Sequence, residues 1–318
     1  GDGGGLWKNV TPAQALFESP GLFAFNDETA WAVSSQLEAN NVVWRTQDGG
    51  NSWAASQPIP LGAGAYRPLG IQFPDTRNGW LLVLEENENQ QNRPVLLYKS
   101  VDGGEAWQPV KDINDGKFQA YLPPFVTTMA FFDGQTGWLG GWWGKDNPSQ
   151  WLVLQTGSGG ARWGTETLRL PAQPSLQCNG NPIAGLPAGS MAVELTCTLP
   201  KDPKYLYHRL FYLSTNGDAA WRSWVVTGKV LGVHFLNARQ GWMLVTSDSP
   251  QVNHVLSTKD GGGTWDKVSD VAWKQAQFTF VNDKIGWAIV GNGFATALVR
   301  TENGGKVWIQ VRPALLNP

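Results

Sequence analysis

Six times along this chain a Ser or Thr opens an eight-residue frame that closes on Trp. The copies are Thr46–Trp53, Ser100–Trp107, Thr156–Trp163, Ser214–Trp221, Thr258–Trp265 and Thr301–Trp308. The third position is Asp48, Asp102, Ser158, Asn216, Asp260 or Asn303, and the fifth is Gly in every copy but the fourth, which carries Asp218 there. A frame held this often makes the chain a repeat protein, so each copy belongs to one supersecondary unit that buries its apolar face only against its neighbours.

The frame reads as a hairpin turn. Strand-like runs precede it, as in Val42-Val43-Trp44-Arg45 and Val95-Leu96-Leu97-Tyr98. The Asp-Gly-Gly core then supplies residues able to take positive φ. The Asp or Asn side chain accepts hydrogen bonds from backbone N–H groups a few residues on, and the closing Trp covers the turn with apolar surface. Asp48, Asp102, Ser158, Asn216, Asp260 and Asn303 are therefore structural.

These residues and spacings resemble the Asp-box, or BNR repeat, Ser-x-Asp-x-Gly-x-Thr-Trp. The resemblance extends upstream of each box to a polar turn followed by Gly-Trp and an apolar run, as in Phe73-Pro74-Asp75 leading to Gly79-Trp80-Leu81-Leu82-Val83. Gly137-Trp138, Gly241-Trp242 and Gly286-Trp287 repeat it, and Ala30-Trp31 replaces the Gly. Strands A to D of such a unit imply an all-β fold, a β-propeller of four-stranded antiparallel blades. The single domain, residues 1–318, divides into units at about 20–59, 68–110, 126–168, 175–226, 230–268 and 276–311. Six blades are expected, with seven as the alternative. Asp2–Val10 has the spacing of a box followed by a D strand, so Trp7–Val10 is expected to add an outer strand to a blade or replace one.

Composition suits a large all-β chain: 38 Gly, 20 Pro and 18 Trp, against 16% charged residues. A net charge of −2 gives no reason to expect nucleic acid or an anionic membrane as partner. No apolar run approaches the roughly 20 residues of a transmembrane helix. The two cysteines, Cys178 and Cys197, both fall in the fourth unit, and a disulfide between them would add about 3 kcal/mol by chain entropy. Buried free thiols are the other reading. The Gly-rich opening fits a chain trimmed behind a signal peptide, so an extracytoplasmic location is expected: secreted, periplasmic, or held by a lipid tether upstream of Gly1.

Topology places the A–B turns and boxes on one edge of the blades and the B–C and D–A connections on the other. The long connections, Glu85–Arg93, Trp143–Gln150, Thr198–His208, Gln57–Arg67 and Lys111–Phe125, all fall on that second edge. Function rides on loops held by a rigid scaffold, so the expected binding residues are Tyr66, Arg67, Tyr121, Trp143, Lys145, Asp146, Tyr205 and His208. Trp142 and Trp151 read instead as strand residues. The three histidines have no metal-ligand spacing, and neither metal nor cofactor is expected.

The sialidases also carry Asp-boxes, but their Phe/Tyr-Arg-Ile-Pro signature is missing; Tyr66-Arg67-Pro68-Leu69 is the nearest stretch. Xyloglucanase-like glycosidases use such propellers in tandem pairs. Glu85, Glu86, Asp115 and Asp146 are candidates for the carboxylate pair a glycosidase needs. The phrasing Phe280–Val290 and Arg300–Trp308 is most similar to propellers resembling the photosystem II assembly and stability factor, which implies a non-catalytic scaffold. The expected function is a monomeric, non-catalytic binding module for a protein or envelope partner, with a glycan-active protein, hydrolytic or lectin-like, as the alternative.

Overall fold

The computed structural model describes residues 6–12, 21–34, 41–86, 95–110, 126–142, 151–168, 177–186, 190–198, 208–214, 222–226, 230–237, 239–247, 252–293, 295–312 and 314–316. All regular structure among them is β. Strand β1 (Leu6–Lys8) stands outside the repeated sheets. The first sheet joins β2 (Leu22–Ala24), β3 (Ala30–Val33), β4 (Val43–Thr46) and β5 (Ala54–Ala55). The second joins β6 (Ala65–Gln72), β7 (Gly79–Glu86), β8 (Val95–Ser100) and β9 (Gln108–Pro109). The third joins β10 (Val126–Phe131), β11 (Gly137–Trp142), β12 (Trp151–Thr156) and β13 (Gly164–Leu168). The fourth joins β14 (Gln177–Leu186), β15 (Ser190–Thr198), β16 (His208–Ser214) and β17 (Arg222–Val226). The fifth joins β18 (Val230–Phe235), β19 (Gly241–Thr246), β20 (Asn253–Thr258) and β21 (Asp266–Val271). The sixth joins β22 (Gln275–Phe280), β23 (Gly286–Gly291), β24 (Thr296–Thr301) and β25 (Ile309–Val311).

Within each sheet the strands run antiparallel in sequence order. Five sheets are complete blades with both turns of the box edge described. The box of the fourth, Ser214–Trp221 with Asn216, lies outside the described residues. The described residues thus carry five complete repeats, where the sequence motif predicts six or seven. The N-terminal expectation also changes: β1 joins no blade and instead pairs in parallel with β26 (Ala314–Leu316). The chain falls into two compact units, Val10–Leu170 with the first three sheets, and Gly1–Asn9 with Pro171–Pro318.

One three-ring joint recurs within each unit. The Phe that ends strand A lies flat on the strand-B Trp of the preceding sheet: Phe73 on Trp31 at 3.7 Å, Phe131 on Trp80 at 3.9 Å, Phe280 on Trp242 at 3.5 Å. The box Trp of the same sheet meets that Phe edge-on, as Trp107 meets Phe73 at 5.8 Å and Trp308 meets Phe280 at 5.9 Å. The Gly of Gly-Trp exists for this joint. A Cβ on Gly79 would stand 2.3 Å from the Phe73 ring, and one on Gly286 2.5 Å from Phe280. The repeated Phe…Gly-Trp phrase is thus a packing code. Burial of three aromatic rings per joint ties sheet to sheet by the hydrophobic effect.

Candidate functional site

The box edge is built from hydrogen bonds that close on themselves. In the first copy the buried Thr46 hydroxyl donates to Asp48 Oδ1 at 2.8 Å and accepts from Gly50 N–H at 2.8 Å. Asp48 then accepts from the Ser52 backbone at 2.9 Å and from the Ser52 hydroxyl at 2.6 Å. Asp260 repeats this with Thr258 and Thr264. The two departures keep an acceptor in place: Arg162 N–H donates to Ser158 Oγ, and Val307 N–H to Asn303 Oδ1, both at 2.9 Å.

The first box Gly donates to the A–B turn of its own sheet in all five described copies: Gly49 to Glu28, Gly103 to Arg77, Gly159 to Gln135, Gly261 to Arg239 and Gly304 to Lys284. Two turns therefore form one rigid edge. The Ser52 hydroxyl and backbone hold the Asp48 carboxyl at about 2. The Thr264 backbone and hydroxyl hold Asp260 at the same value. These carboxylates face their own turns, and none is poised to exchange a proton near neutrality. Open grooves separate neighbouring boxes. The one between the fifth and sixth sheets encloses about 590 Å³ and is lined by Lys259, Lys284 and Lys306, but also by Asp283 and Glu302, so it favours neither sign of charge.

At the opposite edge the described residues gather on the second sheet. Tyr66 pairs in register with Glu85, and Arg67 Nε meets Glu86 Oε1 at 3.3 Å across the exposed surface. Tyr66 itself is only 5% exposed and belongs to the core with Trp31, Ile71 and Phe73, so the residue expected to offer a contact is a packing residue. The reason is alternation: in β6 the Tyr66 side chain falls on the covered face and Arg67 on the open one. Tyr98, which the strand-like Val95–Tyr98 run hid among apolar neighbours, donates from its phenol to Pro60 O at 3.2 Å. Burial, then Tyr66 and the Glu85 charge, push the Tyr98 phenol up to about 12. Tyr66 is raised by the same two causes, burial first and Glu85 second. Both phenols stay protonated, which suits hydrogen bonding and not nucleophilic attack.

His208 opens β16 in register with Cys197 rather than lying in a loop. Trp143, Lys145, Asp146, Tyr121 and Tyr205 lie outside the described residues, so of the expected site only Tyr66 and Arg67 are placed with their side chains. Cys178 and Cys197 are directly paired across β14 and β15. His234, which sequence reading set aside, is a structural residue: Phe280 N–H donates to its Nε2 at 3.2 Å, and burial pulls its ring down to about 4. No group of three His, Cys, Asp or Glu side chains fit to hold a metal is found among the described residues. No described helix is long and apolar enough to cross a membrane.

The sheet pattern has clear counterparts among solved structures. A YCF48 protein bound to a D1 peptide shares 16% identity and a TM-score of 0.55, over 91% of this chain and 80% of that one. A PL25 ulvan lyase shares 10% identity at a TM-score of 0.52, over 93% and 82%. The fold is a β-propeller. A third counterpart, the GH74 xyloglucanase from Xanthomonas campestris, shares 12% identity at 0.53; the match covers 91% of this propeller but only 45% of the enzyme's length. No protein-family model matches the chain, and no curated protein does.

Proposed function

We propose that this propeller is an exported, monomeric, non-catalytic binding module that takes a protein partner on the edge bearing its B–C and D–A connections. The observation that carries this reading is the contrast in commitment between the two edges. The box turns, read as Asp-boxes, bind their own backbone, whereas Arg67, Glu85 and Glu86 stand at the other edge on a strand pair whose phenols are locked in hydrogen bonds. The fold's known uses fit it in part: one solved counterpart holds a peptide. The register pairing of Cys178 with Cys197 supports a disulfide, because directly opposed residues of antiparallel strands have Cα atoms about 4.5–5.5 Å apart, inside the range a disulfide spans. That bridge in turn supports an extracytoplasmic location.

The second reading is action on a polysaccharide, favoured by the two carbohydrate-active counterparts and by the neighbouring Glu85 and Glu86 carboxylates. Incubation with a panel of neutral and uronate polysaccharides separates the two. Release of reducing or unsaturated ends, lost in Glu85→Gln, would replace the binding reading with an enzymatic one. Absence of any release, with candidate-partner binding lost in the Trp143→Ala, Tyr121→Ala double variant, supports the module.

A further inference from the structure

The inter-sheet joints carry polar fittings besides their rings, and these make the second–third and fifth–sixth joints match position for position. Gln72 accepts from Phe131 N–H at 2.9 Å in the former, and His234 accepts from Phe280 N–H at 3.2 Å in the latter. The next fitting is the residue paired in register with the strand-B Trp. It is Arg45 opposite Trp31, Lys99 opposite Trp80 and Ser257 opposite Trp242. Each stands directly before the Ser or Thr that opens its box.

Lys99 shows what a cation does at this position. Its ammonium lies over the Trp80 ring at 5.2 Å and donates to two carbonyls of the next sheet, Gly134 O at 3.1 Å and Gly159 O at 3.2 Å. Arg45 lies over Trp31 at 5.5 Å. In both joints the cation fills the space beside the first box Gly: a Cβ on Gly159 would strike Lys99 Nζ, and one on Gly103 would strike Arg45 Nη1. Gly304 is the matching residue of the sixth sheet. A Cβ there would stand 2.8 Å from Asp283 O, the counterpart of Gly134 O. Beyond its own chain neighbours, no described side chain comes within 4 Å of that point. Ser257 is too short to reach it. The grooves follow the side chains, at about 210 Å³ beside Arg45, 470 Å³ beside Lys99 and 590 Å³ beside Ser257.

We propose that the groove between the fifth and sixth boxes takes the ammonium of a lysine side chain carried by another protein. Trp242 supplies the ring and Asp283 and Gly304 the two carbonyls, the same set that holds Lys99 in the second–third joint. Gly304 O accepts from Trp242 Nε1 at 2.9 Å and keeps a second lone pair for the guest. Cation–π attraction and charge-assisted hydrogen bonds drive the association. An ammonium suits the site better than a guanidinium, because Lys99 satisfies two carbonyls whereas Arg45 in the equivalent place leaves its Nε buried without a partner. The rim sets the rest of the occupant. It bears Lys259, Lys284 and Lys306 against Asp283 and Glu302, and Glu302 is already paired with Arg300 at 2.9 Å. A bare amine meets a net positive rim there, whereas a lysine with acidic neighbours complements it. The groove is separate from the connection-bearing edge, and its test stands apart from that reading.

The probe is a fluorescein-labelled peptide, Gly-Glu-Lys-Glu-Gly, titrated against the full chain by fluorescence anisotropy. Binding should be saturable and fall about tenfold or more when norleucine replaces the lysine. Ser257→Lys should fill the site from within, as Lys99 does in its own joint, and weaken the peptide to the same degree without lowering the thermal unfolding temperature. Ser257→Met fills the same space without a charge and should act likewise, so the location is tested even where the lysine variant folds poorly. No binding, or binding indifferent to norleucine, overturns the proposal. Binding indifferent to both Ser257 variants places the site elsewhere and overturns it too. Displacement of the peptide by an equal concentration of n-butylamine would overturn the assignment to another protein, because a free amine would then suffice.

Discussion

The Trp242 face of the fifth sheet and the Trp287 face of the sixth share a Trp and an aliphatic residue at matching register positions, yet they differ in what packs on them within their own unit. Leu244 is fully buried where Ile289 is half exposed. The difference lies in what arrives next along the chain. After the fifth sheet comes β22 with its Phe278 and Phe280; after the sixth come Arg312 and β26, which carries Ala314, Leu315 and Leu316 and no aromatic ring. A repeat protein draws its stability from the interfaces between its units. The same Gly-Trp phrase therefore sits in two different surroundings.

Truncation should separate the two faces most sharply. Trp242→Ala empties a stacked, buried site and should cost about 3–5 kcal/mol in denaturant unfolding, against about 1 kcal/mol or less for Trp287→Ala. Equal losses would mean that the sixth face is covered in solution. A smaller effect should come from the polar fittings. The ring of His234 sits at about 4, below its ordinary value of 6.5, so the folded state disfavours its proton. Its contribution is fully present above about pH 6.5 and declines as pH falls towards 4, by about 3 kcal/mol if the ring charges only on unfolding. His234→Gln, which copies the acceptor role of Gln72, should flatten that slope; an unchanged slope would assign it to other groups.

The smallest effect concerns the boxes, which both sheets share. Asp260 is depressed to about 2 by bonds from Thr264 and Thr258, so its stabilisation is present above its ordinary value near 3.8 and fades as pH falls towards 2. Asp260→Asn keeps an acceptor, as Asn303 does naturally, and should remove only this acid-range dependence. A comparable loss of stability at pH 7 would show that the charge and not the acceptor holds the turn.

Much of the architecture is written locally. The Ser/Thr-x-Asp-x-Gly frame specifies its turn because the hydrogen bonds of Thr46 and Asp48 run to residues no more than four positions away, and its substitutions by Ser158 and Asn303 announce that any acceptor will do. The Phe…Gly-Trp phrase is equally legible, since only Gly lets the ring lie on the backbone. The candidate site was harder to read. Tyr66 and Arg67 are neighbours in sequence, and strand alternation sends one to the core and the other to the surface. His234 reads as an ordinary strand residue until Phe280, 46 positions away, is seen to donate to it.

By itself, then, the sequence determined the strand-turn-strand unit, its repetition and the roles of its Asp, Gly and Trp residues, because those depend on short-range geometry. It did not determine which copies of one motif are buried. Trp242 and Trp287 each follow Gly and precede an apolar run, and nothing within several residues of either tells them apart. Burial depends on whether a partner strand comes into place from elsewhere, a long-range event that only the tertiary structure decides.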